Sequence, residues 1–303
     1  MLQDRQTREY IRSAMRFMMF RKNGRKGLAL VDHLTGVLRA VYADESSYPG
    51  DLQTLIERGN DALDQAAAVL RVGVEIHESK ILALPPLESP GKIICIGLNY
   101  ADHSAESGFK QPDYPTVFGR FTSSLIGHGA SIVRPLASVQ LDYEGEFVAV
   151  VGRAGRNIRK EDALSYVAGY SLFNDASIRD YQVRTPQWTI GKNFDDTGAF
   201  GPYFVTGDEL PPGCAGLRLR TRLNGVVVQD ASTSDLVFDV ATLVSMLSVA
   251  FTLEPGDIIV TGTPAGVGLA RNPQLWMRPG DVCEVELEGI GVLRNTIVDQ
   301  VSG

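Results

Sequence analysis

The 303-residue chain is poor in cysteine and histidine and has no surplus of positive charge, and each shortage removes a class of function. Its three cysteines, Cys95, Cys214 and Cys283, stand far apart with no C-x-x-C pair. Neither a disulfide framework nor a cysteine-ligated zinc site is therefore expected, and a reducing, cytoplasmic setting fits. Twenty-nine basic residues against 36 acidic ones leave a net charge of −7, which argues against nucleic acid as a partner. An acidic total does not exclude an anionic substrate, because a few local arginines or a metal reverse the sign inside a cleft. No apolar run reaches the roughly 18 to 20 residues that span a bilayer. No signal-peptide core is present either, so a soluble protein without a membrane partner is expected. Internal repeats and low-complexity tracts are absent.

The leader, residues 1–14, is polar and arginine-rich, but Asp4 and Glu9 are atypical of a transit peptide. It is read as a frayed extension, or as the product of an upstream start codon. The rest of the chain is rich in turn formers, with 31 glycines and 15 prolines, which favours a strand-rich fold. "MRFMMFRKNGRKGLALVD" (15–32) predicts two strands around an Asn23-Gly24 turn. Residues 50–73 carry helix formers with apolar positions at helical spacing, broken near Gly59. "LPPLESPG" (84–91) reads as a stiff linker. The expected organisation is thus a small α+β N-terminal domain (15–83), the linker, and a larger domain over 92–303. In that domain short strands are predicted within 92–100, 141–152, 167–175, 217–229, 256–263 and 280–297, with a hairpin at Asn224-Gly225. One helix is predicted from an Asp239 N-cap to the stop at Pro255-Gly256.

Several segments could carry chemistry. In "LDYEGEF", Asp142, Glu144 and Glu146 alternate with apolar residues, so the period of a strand puts the carboxylates on one face. Either a hard divalent cation relieves their repulsion or the face is simply solvated. "CEVELEG" offers the same alternation at Glu284, Glu286 and Glu288, and spacing alone does not choose between the two. Asp175 ends an apolar strand, where functional side chains tend to sit, although Asn-Asp is also an ordinary turn. His103 and Glu106 are three residues apart, which on a helical turn makes a general base with its orienter or merely an exposed pair. "GKNFDDTGAFGP" with Lys192, and "VTGTPAGVG" with Thr261 and Thr263, are small polar segments; the second lacks the lysine and spacing of a phosphate loop, so nucleotide binding is rejected.

In this order, "GLNYADH", "LDYEGEFVAVVGR", "GYSLFNDASIRDYQ", "GKNFDD", "GDIIVTGTPAGVG" and "PGDVCEVELEGIGVLRN" resemble the fumarylacetoacetate hydrolase family, over about residues 91–297. The resemblance implies an α+β, predominantly β fold, with a mixed β-roll catalytic domain behind the small N-terminal one, and usually a homodimer. It also breaks the tie between the acidic strands. Glu144, Glu146 and Asp175 match the family's metal ligands, for Mg²⁺ with Mn²⁺ or Ca²⁺ as alternatives, while "CEVELEG" matches a structural strand and Asp142 sits behind the ligands at best. His103 and Glu106 match a water-activating dyad on a mobile lid, Lys192 a lysine beside the metal, and Arg179, Gln182 and Thr263 substrate contacts. Arg120 stands where many relatives carry lysine. Its planar fork suits a carboxylate, so an additional or differently placed acid group on the substrate is expected. The longest members place a fourth metal carboxylate where this chain has Ile96.

The activity so implied acts on a small 2-oxo carboxylate. First comes hydrolysis of a C–C bond in a 2,4-dioxo acid such as an acylpyruvate, as in aromatic compound catabolism. Oxaloacetate decarboxylation and isomerisation or tautomerisation of a hydroxymuconate-like diacid are the alternatives on the same site. A catalytically silent scaffold is the reading of another class, and the retained dyad, lysine and carboxylates speak against it.

Overall fold

The computed structural model describes residues 15–32, 35–102 and 113–301. The N-terminal hairpin forms as the Asn-Gly pair requires: β1 (Arg16–Lys22) and β2 (Arg25–Val31) pair antiparallel across Asn23 and Gly24, at φ 49° and 80°. β3 (Leu38–Tyr42) follows. Helices α1 (Leu52–Arg58) and α2 (Asn60–Arg71) are separated by Gly59, whose φ of 89° no other residue adopts cheaply. α2 buries Ala62, Leu63, Ala66, Ala67 and Leu70, a stripe at helical period that packs over β2 and β3. Between α2 and the next long strand, the 84–91 segment is non-repetitive yet packed, with Leu84, Leu87 and Pro90 buried.

Further strands are β4 (Ile93–Gly97), β5 (Thr116–Gly119), β6 (Leu141–Asp142), β7 (Gly145–Val151), β8 (Val167–Asp175), β9 (Gly198–Thr206), β10 (Arg218–Leu223), β11 (Val226–Ser232), β12 (Ile258–Val260), β13 (Val282–Leu287) and β14 (Gly291–Asp299), beside five unlabelled short ones, Val74–Ile76, Leu82–Ala83, Leu125–Ile126, Ile132–Arg134 and Ser177–Ile178. Among the described residues they build a 12-stranded mixed sheet whose main path runs Val74–Ile76, β3, β2, β1, β9, β8, β7, β12, β4, β5. A five-stranded sheet runs β11, β10, β13, β14 and Ile132–Arg134. Helix α3 (Val240–Ala250) is capped by the Asp239 carboxylate, which accepts the Thr242 N–H at 2.7 Å. The molecule is mostly β with few helices.

The large sheet is covered on both faces. Phe147, Ala149 and Val151 of β7 enter a core shared with the five-stranded sheet and α3, while Val148 and Val150 enter a second core with Phe17, Met19 and Leu28 of the N-terminal strands and the apolar stripes of α1 and α2. A strand buried on both faces reads as a continuous apolar run, and "FVAVV" is one. β9 falls within a segment whose glycines and proline mark it as loop in sequence. It is nonetheless central, pairing β1 on one side and β8 on the other, with a register shift in β8 between Tyr170 and Leu172.

Phe17 is fully buried beside Phe204, ring centroids 6.4 Å apart, at the seam where β1 joins β9. Phe17→Ala is expected to lower the unfolding free energy by about 3–5 kcal/mol. Urea titration followed by far-ultraviolet circular dichroism checks this, and an unchanged midpoint refutes the seam's contribution.

Candidate metal centre and substrate cavity

Antiparallel pairing of β7 with β8 sets Gly145 opposite Asn174. The two residues flanking Gly145, Glu144 and Glu146, are thereby brought beside Asp175 at the end of β8. Asp175 N–H donates to the Glu144 carbonyl (2.9 Å), and the Asn174 side-chain carbonyl accepts the Glu144 N–H (3.1 Å). Gly145 is sterically required, since a Cβ there would meet Thr221 Oγ1 at 2.0 Å. β4 and β12 run parallel, and β12 is antiparallel to β7. Their C-terminal ends therefore reach the same edge, where Gly262 N–H donates to Glu146 Oε2.

Glu144, Glu146 and Asp175 each offer a carboxylate oxygen within 4.8 Å of the others, and all three are buried. Three cations stand against them. Lys192, on the helical turn Thr189–Lys192, reaches Glu144 Oε2 at 2.5 Å and Asp175 Oδ2 at 2.6 Å. Arg179, on the turn Arg179–Gln182, reaches Glu144 Oε1 at 2.6 Å through Nη1 and Asp142 Oδ2 at 2.8 Å through Nε. Arg120 pairs with Asp175 Oδ1. With Asp142 counted, four carboxyls face three cations, a formal charge of −1 when all four are ionised.

Glu146 makes no ion pair with any described residue. Burial, then the Asp175 and Glu144 charges, push its carboxyl well above the usual range, which Lys192 and the Gly262 N–H only partly offset. Burial draws Lys192 down, but Asp175 and Glu144 outweigh it and hold the ammonium above its ordinary pKa. The same opposition, with Glu144 and Asp142 as the anions, raises Arg179. In this ion-free cluster Lys192 is thus held as an ammonium by Asp175 and Glu144. An all-oxygen donor set suits a hard divalent cation. The ion would turn the cluster's charge from −1 to +1, which complements an anionic acid.

A cavity of about 50 Å³ opens beside the triad, and Lys192, Arg179, Gln182 and Thr263 all line it. Pockets for drug-sized ligands hold about 300–1,000 Å³, so this one is suited to a small acid. Its walls include Ile96, Phe118 and Trp188. The Ile96 side chain supplies no oxygen, so among the described residues the candidate metal set is three carboxylates. Phe118 and Trp188 pack edge to face with centroids 5.6 Å apart, and Trp188 lies so close to Gly97 that a Cβ there would meet its ring at 2.3 Å.

Arg120 does not line the cavity. Its side chain is fully buried behind the triad, where Nη1 holds Asp175 and also reaches the Ala176 carbonyl at 3.4 Å, Nη2 donates to Thr197 Oγ1 at 2.7 Å and Nε to Ser124 Oγ at 3.2 Å. The acid group that this fork was expected to meet is thus a carboxylate of the protein itself. Glu284 and Glu286, the rival alternation, lie partly exposed on β13 and pair with Arg294 and Arg222 of the flanking strands, while Glu288 is exposed. His103 and Glu106 lie outside the described residues. Thr261 is buried and donates its hydroxyl to the Phe147 carbonyl at 2.8 Å, which fixes the β12 exit.

Sequence reasoning passed over Gln229. Buried on β11, it donates to Thr263 Oγ1 and the Pro264 carbonyl, both at 2.8 Å, and accepts the Gly145 N–H at 3.0 Å. It ties the strand bearing the glutamates to the Thr263 loop. The available signal is a lone amide closing the run "VVVQ", since a polar side chain in a buried strand needs partners inside.

Residues 92–298 match the family model of the fumarylacetoacetate (FAA) hydrolase C-terminal domain. Across the whole chain, similarity extends to the mitochondrial oxaloacetate tautomerase Fahd2a of Rattus norvegicus, 38% identical over 256 residues, which cover 84% of this chain and 82% of that protein. The fumarylacetoacetate hydrolase domain-containing protein 2 homolog of Dictyostelium discoideum is 40% identical over 270 residues, 84% and 87% of the two chains. Among solved structures, the fumarylacetoacetate hydrolase of psychrophilic Exiguobacterium antarcticum is 34% identical with a TM-score of 0.81, covering 94% of this chain and all of that one. The 5-carboxymethyl-2-hydroxymuconate delta-isomerase of Mycobacterium smegmatis is 30% identical with a TM-score of 0.72, covering 95% and 100%. With the acidic triad, the lysine and the sheet that gathers them in place, the chain belongs to the fumarylacetoacetate hydrolase family.

Proposed function

We propose that the chain is a metal-dependent tautomerase acting on a small 2-oxo dicarboxylate of the oxaloacetate type. The observation that carries this reading is the small cavity on which three buried carboxylates, an ammonium and an arginine converge. The similarity to proteins named oxaloacetate tautomerases supports the choice of reaction. It moves weight from C–C hydrolysis, the first expectation from sequence, to tautomerisation, which was expected there on a hydroxymuconate-like diacid, while oxaloacetate was expected there as a substrate for decarboxylation.

A divalent cation held by Glu144, Glu146 and Asp175, Mg²⁺ foremost, would supply Lewis-acid charge at the 2-oxo end of the substrate. Lys192, held as an ammonium in the ion-free cluster, adds a second positive charge that stabilises negative charge. Arg179 and Gln182 orient the substrate carboxylate, and Thr263 borders the opposite side. In the enol-to-keto direction the 2-hydroxyl loses its proton as its C–O becomes a carbonyl, and the C2–C3 π pair takes a proton at C3. His103, oriented by Glu106, is assigned the transfer of those protons, as the general base of the dyad that the family resemblance implies. A second reading, hydrolysis of an acylpyruvate by the same dyad acting on water, is favoured by the likeness to the Exiguobacterium antarcticum hydrolase.

Mg²⁺-loaded protein given oxaloacetate is expected to speed the loss of enol absorbance with no release of CO₂, and to leave acylpyruvates intact. Full activity after EDTA treatment would sink the metal's role, and acylpyruvate cleavage without tautomerase activity would establish the second reading. His103→Ala should slow turnover by about 10²–10⁴-fold, while Mg²⁺ still raises the melting temperature; an unchanged rate would remove His103 from the mechanism. Glu146→Gln removes a buried charge that lacks a cation of its own, so the metal-free variant should melt no lower than the metal-free wild type. The stabilisation by Mg²⁺ at a hundredfold excess over its Kd, about 2.7 kcal/mol in the wild type, should vanish in that variant. Differential scanning calorimetry reads both, and retention of the Mg²⁺ shift would exclude Glu146 as a ligand.

A further inference from the structure

Asp142 alternates with the metal glutamates in sequence but faces elsewhere. Its fully buried carboxylate accepts four hydrogen bonds, from Tyr143 N–H and Gly268 N–H at Oδ1, both 2.8 Å, and from Leu269 N–H (2.9 Å) and Arg179 Nε (2.8 Å) at Oδ2. These donors come from the metal strand, from the turn Gly268–Ala270 and from the helical turn Arg179–Gln182. The approach is close enough that a Cβ on Gly268 would sit 2.6 Å from Oδ1.

Arg179 commits Nη1 to Glu144 (2.6 Å) and to Gln182 Oε1 (2.8 Å). Nη2 remains buried with no hydrogen-bond partner among the described residues, on a side chain that lines the cavity. A guanidinium is a rigid planar fork, so fixing Nε and Nη1 fixes where the Nη2 N–H bonds point. A buried N–H without a partner is costly, and a ligand carboxylate would satisfy it.

We propose that Asp142 is a positioning residue that aims Arg179 Nη2 at the substrate carboxylate and at the same time anchors Leu269 in the cavity wall, so that it governs affinity for the acid and not for the metal. The inference rests on the proposed function in taking the ligand to be a small 2-oxo acid. Asparagine at this position has the same shape but one acceptor oxygen. Whichever way its amide turns, the NH₂ group confronts two of the four donors, and the charge that holds Arg179 is lost.

The test is calorimetric titration of the full chain with Mg²⁺, and of the Mg²⁺-saturated protein with oxalate, a non-reacting planar dicarboxylate. Asp142→Asn should leave the Mg²⁺ Kd within about threefold and weaken oxalate by roughly 10- to 100-fold, the loss of one hydrogen bond to a charged group. In an Arg179→Ala background the same substitution should change oxalate binding little, because both act through one guanidinium. Unchanged oxalate affinity in Asp142→Asn, additive effects of the two substitutions, a parallel loss of Mg²⁺, or wild type that does not bind oxalate would each overturn the proposal. Should Asp142→Asn not fold, Arg179→Lys provides the second arm, since lysine cannot hold Asp142 and Glu144 and still present a free fork; wild-type oxalate affinity in that variant overturns the proposal too. Turnover is not part of the reading, so a protein that binds oxalate as described but does not act on oxaloacetate tautomers would refute the proposed reaction alone.

Discussion

Four carboxylates forced into a dry sheet edge are the constraint on which the rest of this structure depends. Like charges a few ångströms apart in a low-dielectric interior repel strongly, and each also loses its water. The fold answers with Lys192, Arg179 and Arg120, each buried and each bonded to at least one of the acids. The cations come from separate segments of the chain, so the site can form only when strands far apart in sequence have already paired. Removing any one of these cations would leave buried acids with less compensation, which makes the cluster as much a part of folding as of function.

The compensation is uneven, and the unevenness has chemical content. Asp142 is fully satisfied by four donors, Glu144 and Asp175 each hold two cationic contacts, and Glu146 has an N–H from Gly262 but no cation among the described residues. Charge is therefore deficient on the side of the triad where Glu146 stands. A divalent cation would supply what is missing there, while Lys192 and Arg179 hold positive charge against Glu144 and Asp175. Among the described residues the cations thus gather against Glu144, Asp175 and Asp142, and Glu146 is left without one.

Much of this was legible from sequence because local rules and burial agree. Asn23-Gly24, Gly59, the Asp239 cap and the Asn224-Gly225 hairpin each act through a few neighbouring residues, and each appears where its chemistry puts it. β9 was not legible, because Gly198, Gly201 and Pro202 read as loop while the strands on both sides of it supply the order that its own residues do not. Arg120 was misplaced for a related reason. The type of a side chain fixes what it can bind but not whether the carboxylate it meets belongs to a ligand or to the protein, and only the packing behind Asp175 decides that.

The two acidic alternations sharpen the point, because period alone made them equivalent. The difference lies in the residues on their C-terminal side. After Glu146 comes "FVAVV", apolar at every position, which a strand tolerates only when both its faces are covered; a carboxylate at the head of such a strand has nowhere dry to go except beside a cation. Glu284 and Glu286 sit instead on a strand that continues to alternate, so one face stays wet and arginines from β10 and β14 suffice as partners. Acidic alternation therefore signals a metal or catalytic centre when the strand bearing it runs into two-sided burial, and a solvated face when the alternation persists.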